Sequence, residues 1–213
     1  MRCDKKQMLL YAVTDRAWTG QRTLARQVED ALKGGATCVQ LREKALDDAA
    51  FLREARELRA LCRQYQVPFI VNDNVEIALA CGADGVHVGQ KDMAAGEVRR
   101  RIGDGMILGV SAHTVEEARE AARNGADYLG VGAVFPTRTK TDVSRMPNET
   151  LRAICDAVDL PVVAIGGIDR SNIGGLAGSG VDGVAVVSAI FSADDIEAAC
   201  RELRGLSEAM VKA

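Results

Sequence analysis

A chain of 213 residues, 47% hydrophobic and 27% charged, has ordinary globular composition and enough length for one sizeable core. Its net charge of −3 provides no global basic field for nucleic acid or an anionic membrane, so any anion site must use local positive charge. No run is long enough to span a bilayer, and Met1-Arg2-Cys3-Asp4-Lys5-Lys6 is not followed by the apolar core of a signal peptide. The expectation is a cytoplasmic, single-domain protein over 1–213.

Taken in order, Leu9 to Val13 is a short apolar run stopped by Thr14-Asp15, the first predicted strand. Leu24, Val28, Ala31 and Leu32 recur at helical spacing up to Gly34-Gly35. The second strand, Thr37-Cys38-Val39, runs into Gln40-Leu41-Arg42-Glu43-Lys44. In extended chain Gln40, Arg42 and Lys44 share one face, an amide and two cations suited to an anion. Asp47 caps the next predicted helix, whose face carries Phe51, Ala55, Leu58, Cys62 and Tyr65. Phe69 to Val71 is strand three, ending in Asn72-Asp73. Gly85 to Gly89 is strand four, followed by Gln90-Lys91-Asp92. Met106 to Val110 is strand five, ending at Ser111. Thr114 to Glu117 has the capping-box pattern. Tyr128 to Val131 is strand six, before a long loop from Gly132 to Pro147. Val162 to Ile165, ending in Gly166-Gly167, is strand seven. The stretch 169–180 holds four glycines and predicts a weak helix. Val184 to Val187 is strand eight, ending at Ser188.

An internal repeat supports this count. Gly35-Ala36-Thr37, Gly82-Ala83-Asp84, Gly125-Ala126-Asp127 and Gly180-Val181-Asp182 each join a helix end to an even-numbered strand. Eight alternating units with short connections predict an α/β fold, a (β/α)8 TIM barrel. The competing doubly wound sheet lacks its dinucleotide fingerprint, because Gly130-Val131-Gly132 is followed by Phe135 where a third glycine belongs. Six scattered cysteines include no Cys-x-x-Cys pair and fit buried reduced thiols better than a disulfide frame or zinc site.

In a barrel the ligand site lies where the strands end. Asp73 and Asp92 are the candidate magnesium ligands, each with a helix-capping role as the alternative. Gly167, Val187 and Ser188 follow strands seven and eight, where barrels often hold a phosphate; a tight turn and a helix cap are the alternative. Lys140, in Thr137-Arg138-Thr139-Lys140, reaches over the mouth or belongs to a solvated loop. His87 reads as a hydrogen-bonded interior histidine rather than a general base. Asp15, Arg16 and Trp18 after strand one are placed to line the rim, but nothing in the sequence singles them out.

Gln40-Leu41-Arg42-Glu43-Lys44, Asn72-Asp73, the run from Gly85 to Asp92, Pro136 to Lys140, Ile165-Gly166-Gly167-Ile168 and Val186 to Ile190 together resemble the thiamine phosphate synthase (thiamine-phosphate pyrophosphorylase) family. The resemblance implies a (β/α)8 barrel transferase that joins 4-amino-5-hydroxymethyl-2-methylpyrimidine diphosphate to hydroxyethylthiazole phosphate. It implies pyrimidine diphosphate contacts from Gln40, Leu41, Arg42, Glu43, Lys44, Asn72, Ser111 and Lys140. It implies Mg2+ on Asp73 and Asp92, and thiazole phosphate contacts from Thr137, Arg138, Thr139, Gly167, Val187 and Ser188. Arg42, Lys44 and Lys140 would stabilise the leaving diphosphate. Its partners would then be these small molecules, with no nucleic acid and no membrane. Rival readings are a thiazole tautomerase on the same barrel, a sugar-phosphate isomerase and a non-catalytic thiamine phosphate sensor.

Overall fold

The structure is a computed structural model that describes residues 3–20, 22–137 and 146–213. Eight parallel strands close into one barrel in sequence order: β1 (Leu10–Val13), β2 (Cys38–Leu41), β3 (Phe69–Asn72), β4 (Gly85–Val88), β5 (Ile107–Ala112), β6 (Tyr128–Gly132), β7 (Val162–Ile165) and β8 (Gly183–Val186). The helices α1 (Leu24–Lys33), α2 (Asp48–Gln64), α3 (Val75–Cys81), α4 (Ala95–Ile102), α5 (Val115–Arg123) and α6 (Asn148–Ala157) follow the first six strands in turn. A 3-10 turn, Ile173–Leu176, replaces a helix after β7. Four glycines between 174 and 180 raise the cost of a regular helix there, by about 1 kcal/mol each relative to alanine. The short α7 (Ser188–Phe191) and long α8 (Ile196–Lys212) follow β8.

Two apolar layers result from strand alternation. Val39, Leu41, Phe69, Val71, Val86 and Val88 face outward onto helix residues such as Val28, Leu58 and Ala78. Each fully buried aliphatic side chain in this layer contributes about 1.5–3 kcal/mol. Tyr11, Cys38, Ile70, Ile107, Tyr128, Val163 and Ala185 fill the barrel, joined by Cys3 and Met8. Small residues make room for large ones. A Cβ on Gly109 would lie 2.2 Å from Tyr128 Cζ, and one on Gly85 2.6 Å from Ile70 Cδ1.

The repeated joints have a common job. The Thr37 hydroxyl accepts from Leu10 N (2.8 Å), and Asp84, Asp127 and Asp182 accept from Phe69 N, Leu108 N and Val162 N (2.9 Å each). The same four residues donate their own N–H to the carbonyls of Leu10, Phe69, Leu108 and Val162. Each joint therefore pins an even strand to the start of its odd neighbour. The glycines before them have positive φ (95°, 66°, 85° and 88° for Gly35, Gly82, Gly125 and Gly180), as the left-handed turn requires. All six cysteines are free. Burial pushes the thiols of Cys3, Cys62, Cys155 and Cys200 up to about 12. No helix among the described residues is long and apolar enough to cross a membrane.

Candidate active site

β2 stops at Leu41, so strict alternation orients only Gln40, which faces the barrel interior, and Leu41, which packs outward. Beyond it, side-chain partners set the directions. Thr14, fully buried at the end of β1, donates N–H to the Gln40 carbonyl (2.9 Å), and its hydroxyl accepts from Arg42 N (3.0 Å). Arg42 Nη1 lies 3.2 Å from Asp15 Oδ2. Glu43 turns back under the rim. It accepts from Arg16 Nε and from Lys44 N and Ala45 N, each at 2.7 Å. Arg16 in turn holds both oxygens of Glu54 at 2.8 and 2.6 Å. Burial opposes ionisation of Glu43, yet the Ala45 N–H and the Arg16 guanidinium hold its carboxyl below the usual range. Glu43 thus anchors the loop that displays Arg42 and Lys44. Asp15 and Arg16 carry no motif that marks them for a role in the sequence. Their signal is position alone, since polar groups also follow the other strands.

Lys44 Nζ meets Asp73 Oδ2 in an ion pair. Asp73 adopts the left-handed region (φ 61°), which for a non-glycine costs about 1–3 kcal/mol. Its N–H donates to the His87 carbonyl at 2.8 Å, which holds it there. Asp92 lies near enough to Asp73 for the two carboxyls to feel each other's charge. Burial first, then this neighbouring carboxylate, push Asp92 up, while Gly89 N–H and Lys44 pull the other way. Neither Asp caps a helix. Asn74 caps α3 through its own side chain, α4 has no side-chain cap, and Asp92 Oδ2 accepts from Gly89 N at 2.8 Å. The capping alternatives are thereby removed. A cleft of about 490 Å³ is lined by Glu43, Lys44, Asn72 and Asp73, with Phe51 and Met93 among its apolar neighbours.

Ser111 lies within β5 rather than after it, with its hydroxyl 2.9 Å from His87 Nε2. His87 is buried and hydrogen-bonded, as expected from its place in a strand. On the far side of the mouth, Gly166 and Gly167 both have positive φ (103° and 65°). A Cβ on Gly167 would lie 2.2 Å from the Pro136 carbonyl oxygen, so the chain leading to Thr137 rests directly on this glycine. Val187 is half-buried, and Ser188 opens α7. Arg138, Thr139 and Lys140 lie outside the described residues. Among the described residues no group of three or more His, Cys, Asp or Glu is placed to hold a metal.

A closed parallel barrel with cations, neighbouring carboxylates and a glycine turn at the C-terminal ends of its strands defines the (β/α)8-barrel class, with polar groups gathered where such barrels hold their sites. A family model described as thiamine monophosphate synthase matches residues 10–190. The thiamine-phosphate synthase of Chloroflexus aurantiacus is 51% identical over 198 residues, covering 92% of this chain and 91% of that protein. That of Clostridium tetani is 48% identical over 196 residues, covering 92% and 94%. The solved thiamine phosphate pyrophosphorylase of Pyrococcus furiosus superposes with a TM-score of 0.89 at 41% identity, covering 97% and 98%. The chain belongs to the thiamine monophosphate synthase family, whose activity is that of a transferase. The tautomerase, isomerase and sensor readings find no support in these similarities.

Proposed function

We propose that this chain, acting as a single barrel domain, condenses 4-amino-5-hydroxymethyl-2-methylpyrimidine diphosphate with 4-methyl-5-(2-phosphooxyethyl)thiazole, giving thiamine phosphate and diphosphate. The observation that carries the reading is the meeting of Lys44, Asp73 and Asp92 at the exits of β2, β3 and β4. Two carboxylates close enough to oppose each other's charge are a hard-oxygen donor set of the kind Mg2+ accepts. Two protein ligands suffice when a diphosphate and water supply the rest. Bound there, Mg2+ would neutralise charge on the diphosphate.

The chain's own residues would do the remaining work. Arg42 and Lys44 bind the diphosphate oxygens, and Lys140 would join them. The carbon–oxygen bond at the pyrimidine methylene breaks, and diphosphate leaves with the electron pair. The thiazole nitrogen then forms the carbon–nitrogen bond to that methylene cation. No proton is abstracted, which suits a mouth rich in cations and hydrogen-bond donors. Thr137, Arg138, Thr139, Gly167, Val187 and Ser188 would hold the thiazole phosphate and so keep the nucleophile in line. Gln40, Asn72 and Ser111 would hold the pyrimidine, with Leu41 and Glu43 shaping the same segment.

Turnover measured after chelation and again on restoring Mg2+, with diphosphate release read directly, tests the assignment. Loss and recovery together are expected. Turnover indifferent to the metal would remove Asp73 and Asp92 from it.

A further inference from the structure

Five side chains from five strands or strand ends form one unbroken hydrogen-bond chain across the barrel. Gln40 Nε2 donates to the Tyr11 hydroxyl (2.8 Å), and the Tyr11 and Tyr128 hydroxyls are 2.8 Å apart. The Tyr128 hydroxyl lies 2.9 Å from His87 Nδ1, and His87 Nε2 lies 2.9 Å from the Ser111 hydroxyl. Tyr11 and Tyr128 are buried at 1% and 0% exposure, and Gln40 at 5%. Burial pushes both phenols well up, so each keeps its single proton.

The proton inventory then fixes directions. A hydroxyl has one proton and a neutral imidazole one N–H. With Gln40 donating to Tyr11, Tyr11 donates to Tyr128 and Tyr128 donates to Nδ1 of His87. Nε2–H donates to the Ser111 oxygen. That leaves the Gln40 carbonyl oxygen, beside the amide's second N–H, as an acceptor and the Ser111 proton as a donor. Turning the Gln40 amide over reverses every link, so the Gln40 carbonyl oxygen and the Ser111 proton are free together or engaged together.

We propose that Tyr11, Tyr128 and His87 are positioning residues that act through Gln40 and Ser111, holding one as acceptor and the other as donor toward a 4-aminopyrimidine. This rests on the pyrimidine reading of the mouth. The edge of that ring offers an amine donor beside a ring-nitrogen acceptor, the complement of the two relay ends. The 4-oxo analogue offers the inverse pattern, carbonyl beside N–H, and leaves the Ser111 proton without a partner unless all four links reverse together. Buried hydrogen bonds that must all be made or all be reversed are a strong discriminator between such isosteres.

The test uses Tyr11→Phe and Tyr128→Phe, which keep the rings and delete one hydroxyl each. Steady-state kinetics are run with each substrate varied, and inhibition by the 4-oxo pyrimidine diphosphate is measured alongside. The expected result is a KM for the amino substrate raised about tenfold and a preference for amino over oxo reduced about tenfold. The KM for thiazole phosphate should stay within about twofold, as for a distant, uncoupled site. Should Tyr128→Phe fail to fold, Tyr11→Phe carries the same test, since it cuts the chain beside Gln40. An amino-over-oxo preference unchanged in the folded variants, with only thermal stability lowered, overturns the proposal and leaves the hydroxyls structural. A wild-type protein that turns over neither pyrimidine overturns the reading of the mouth itself, and the relay's role with it.

Discussion

Adding one methyl group at Gly109 should be among the most damaging small changes in this molecule. The Cβ of Gly109→Ala would lie 2.2 Å from Tyr128 Cζ, 2.3 Å from its hydroxyl and 2.5 Å from His87 Nδ1. That is roughly 1 Å or more inside ordinary carbon contact. Tyr128 has nowhere to retreat, because it is fully buried with its ring centroid 5.9 Å from that of Tyr11. Overpacking of this kind costs about 3 kcal/mol. For a chain of this size, each kcal/mol moves the midpoint by about 2–4 °C, so Tm should fall by roughly 6–12 °C. Thermal unfolding followed by circular dichroism reads this directly. Gly205→Ala is the matched control, since Gly205 is exposed within α8 with nothing within 4 Å of an added Cβ. It should gain about 0.5–1 kcal/mol from lower unfolded-state entropy, with Tm raised by about 1–4 °C. A Gly109→Ala protein that unfolds at or above the wild-type temperature would refute the packing of the barrel interior described above.

Glu43→Gln should destabilise by about 2 kcal/mol at neutral pH, since it removes the charge from a carboxylate that binds Arg16 and two backbone N–H groups. Because its folded pKa is depressed, the stability Glu43 adds is present above its unfolded value and lost as pH falls through the folded one. The gap between wild type and Glu43→Gln in denaturant titrations should therefore close on acidification, and a gap constant down to pH ~3 would contradict this. Asp92→Asn should raise the Mg2+ concentration needed for half-maximal turnover by about tenfold or more, and an unchanged requirement would place the metal elsewhere. Lys140→Ala should lower kcat by about a hundredfold while KM for thiazole phosphate moves less than about threefold. Unchanged turnover would remove Lys140 from the mechanism.

The architecture was legible because its signals are local and repeated. Four Gly-x-Thr/Asp joints marked the even strands, and each proved to pin its strand to the preceding one through the Thr or Asp side chain. The glycine-dense stretch after β7 predicts a weak helix, and a 3-10 turn forms there. Strand ends were less legible. β2 runs on to Leu41 and β5 takes in Ser111, because neighbouring strands continue the hydrogen bonding past the apolar run. The facing of residues 42–44 could not come from alternation, since the strand has ended there and Asp15, Arg16 and Asp73 decide it. The capping alternatives for Asp73 and Asp92 were equally consistent with sequence. Only the geometry shows Asn74 doing that job while the two carboxylates face each other. The interior relay was invisible for a related reason. Tyr11, Gln40, His87, Ser111 and Tyr128 are far apart in sequence, and closure of the barrel alone brings them together.

The most direct measurement is product formation by the purified protein given both substrates, with and without Mg2+. Thiamine phosphate is read after oxidation to fluorescent thiochrome, and diphosphate is assayed in parallel. The expected result is magnesium-dependent formation of both products in equal amounts. A folded protein that binds the thiazole phosphate yet forms neither product would contradict the account.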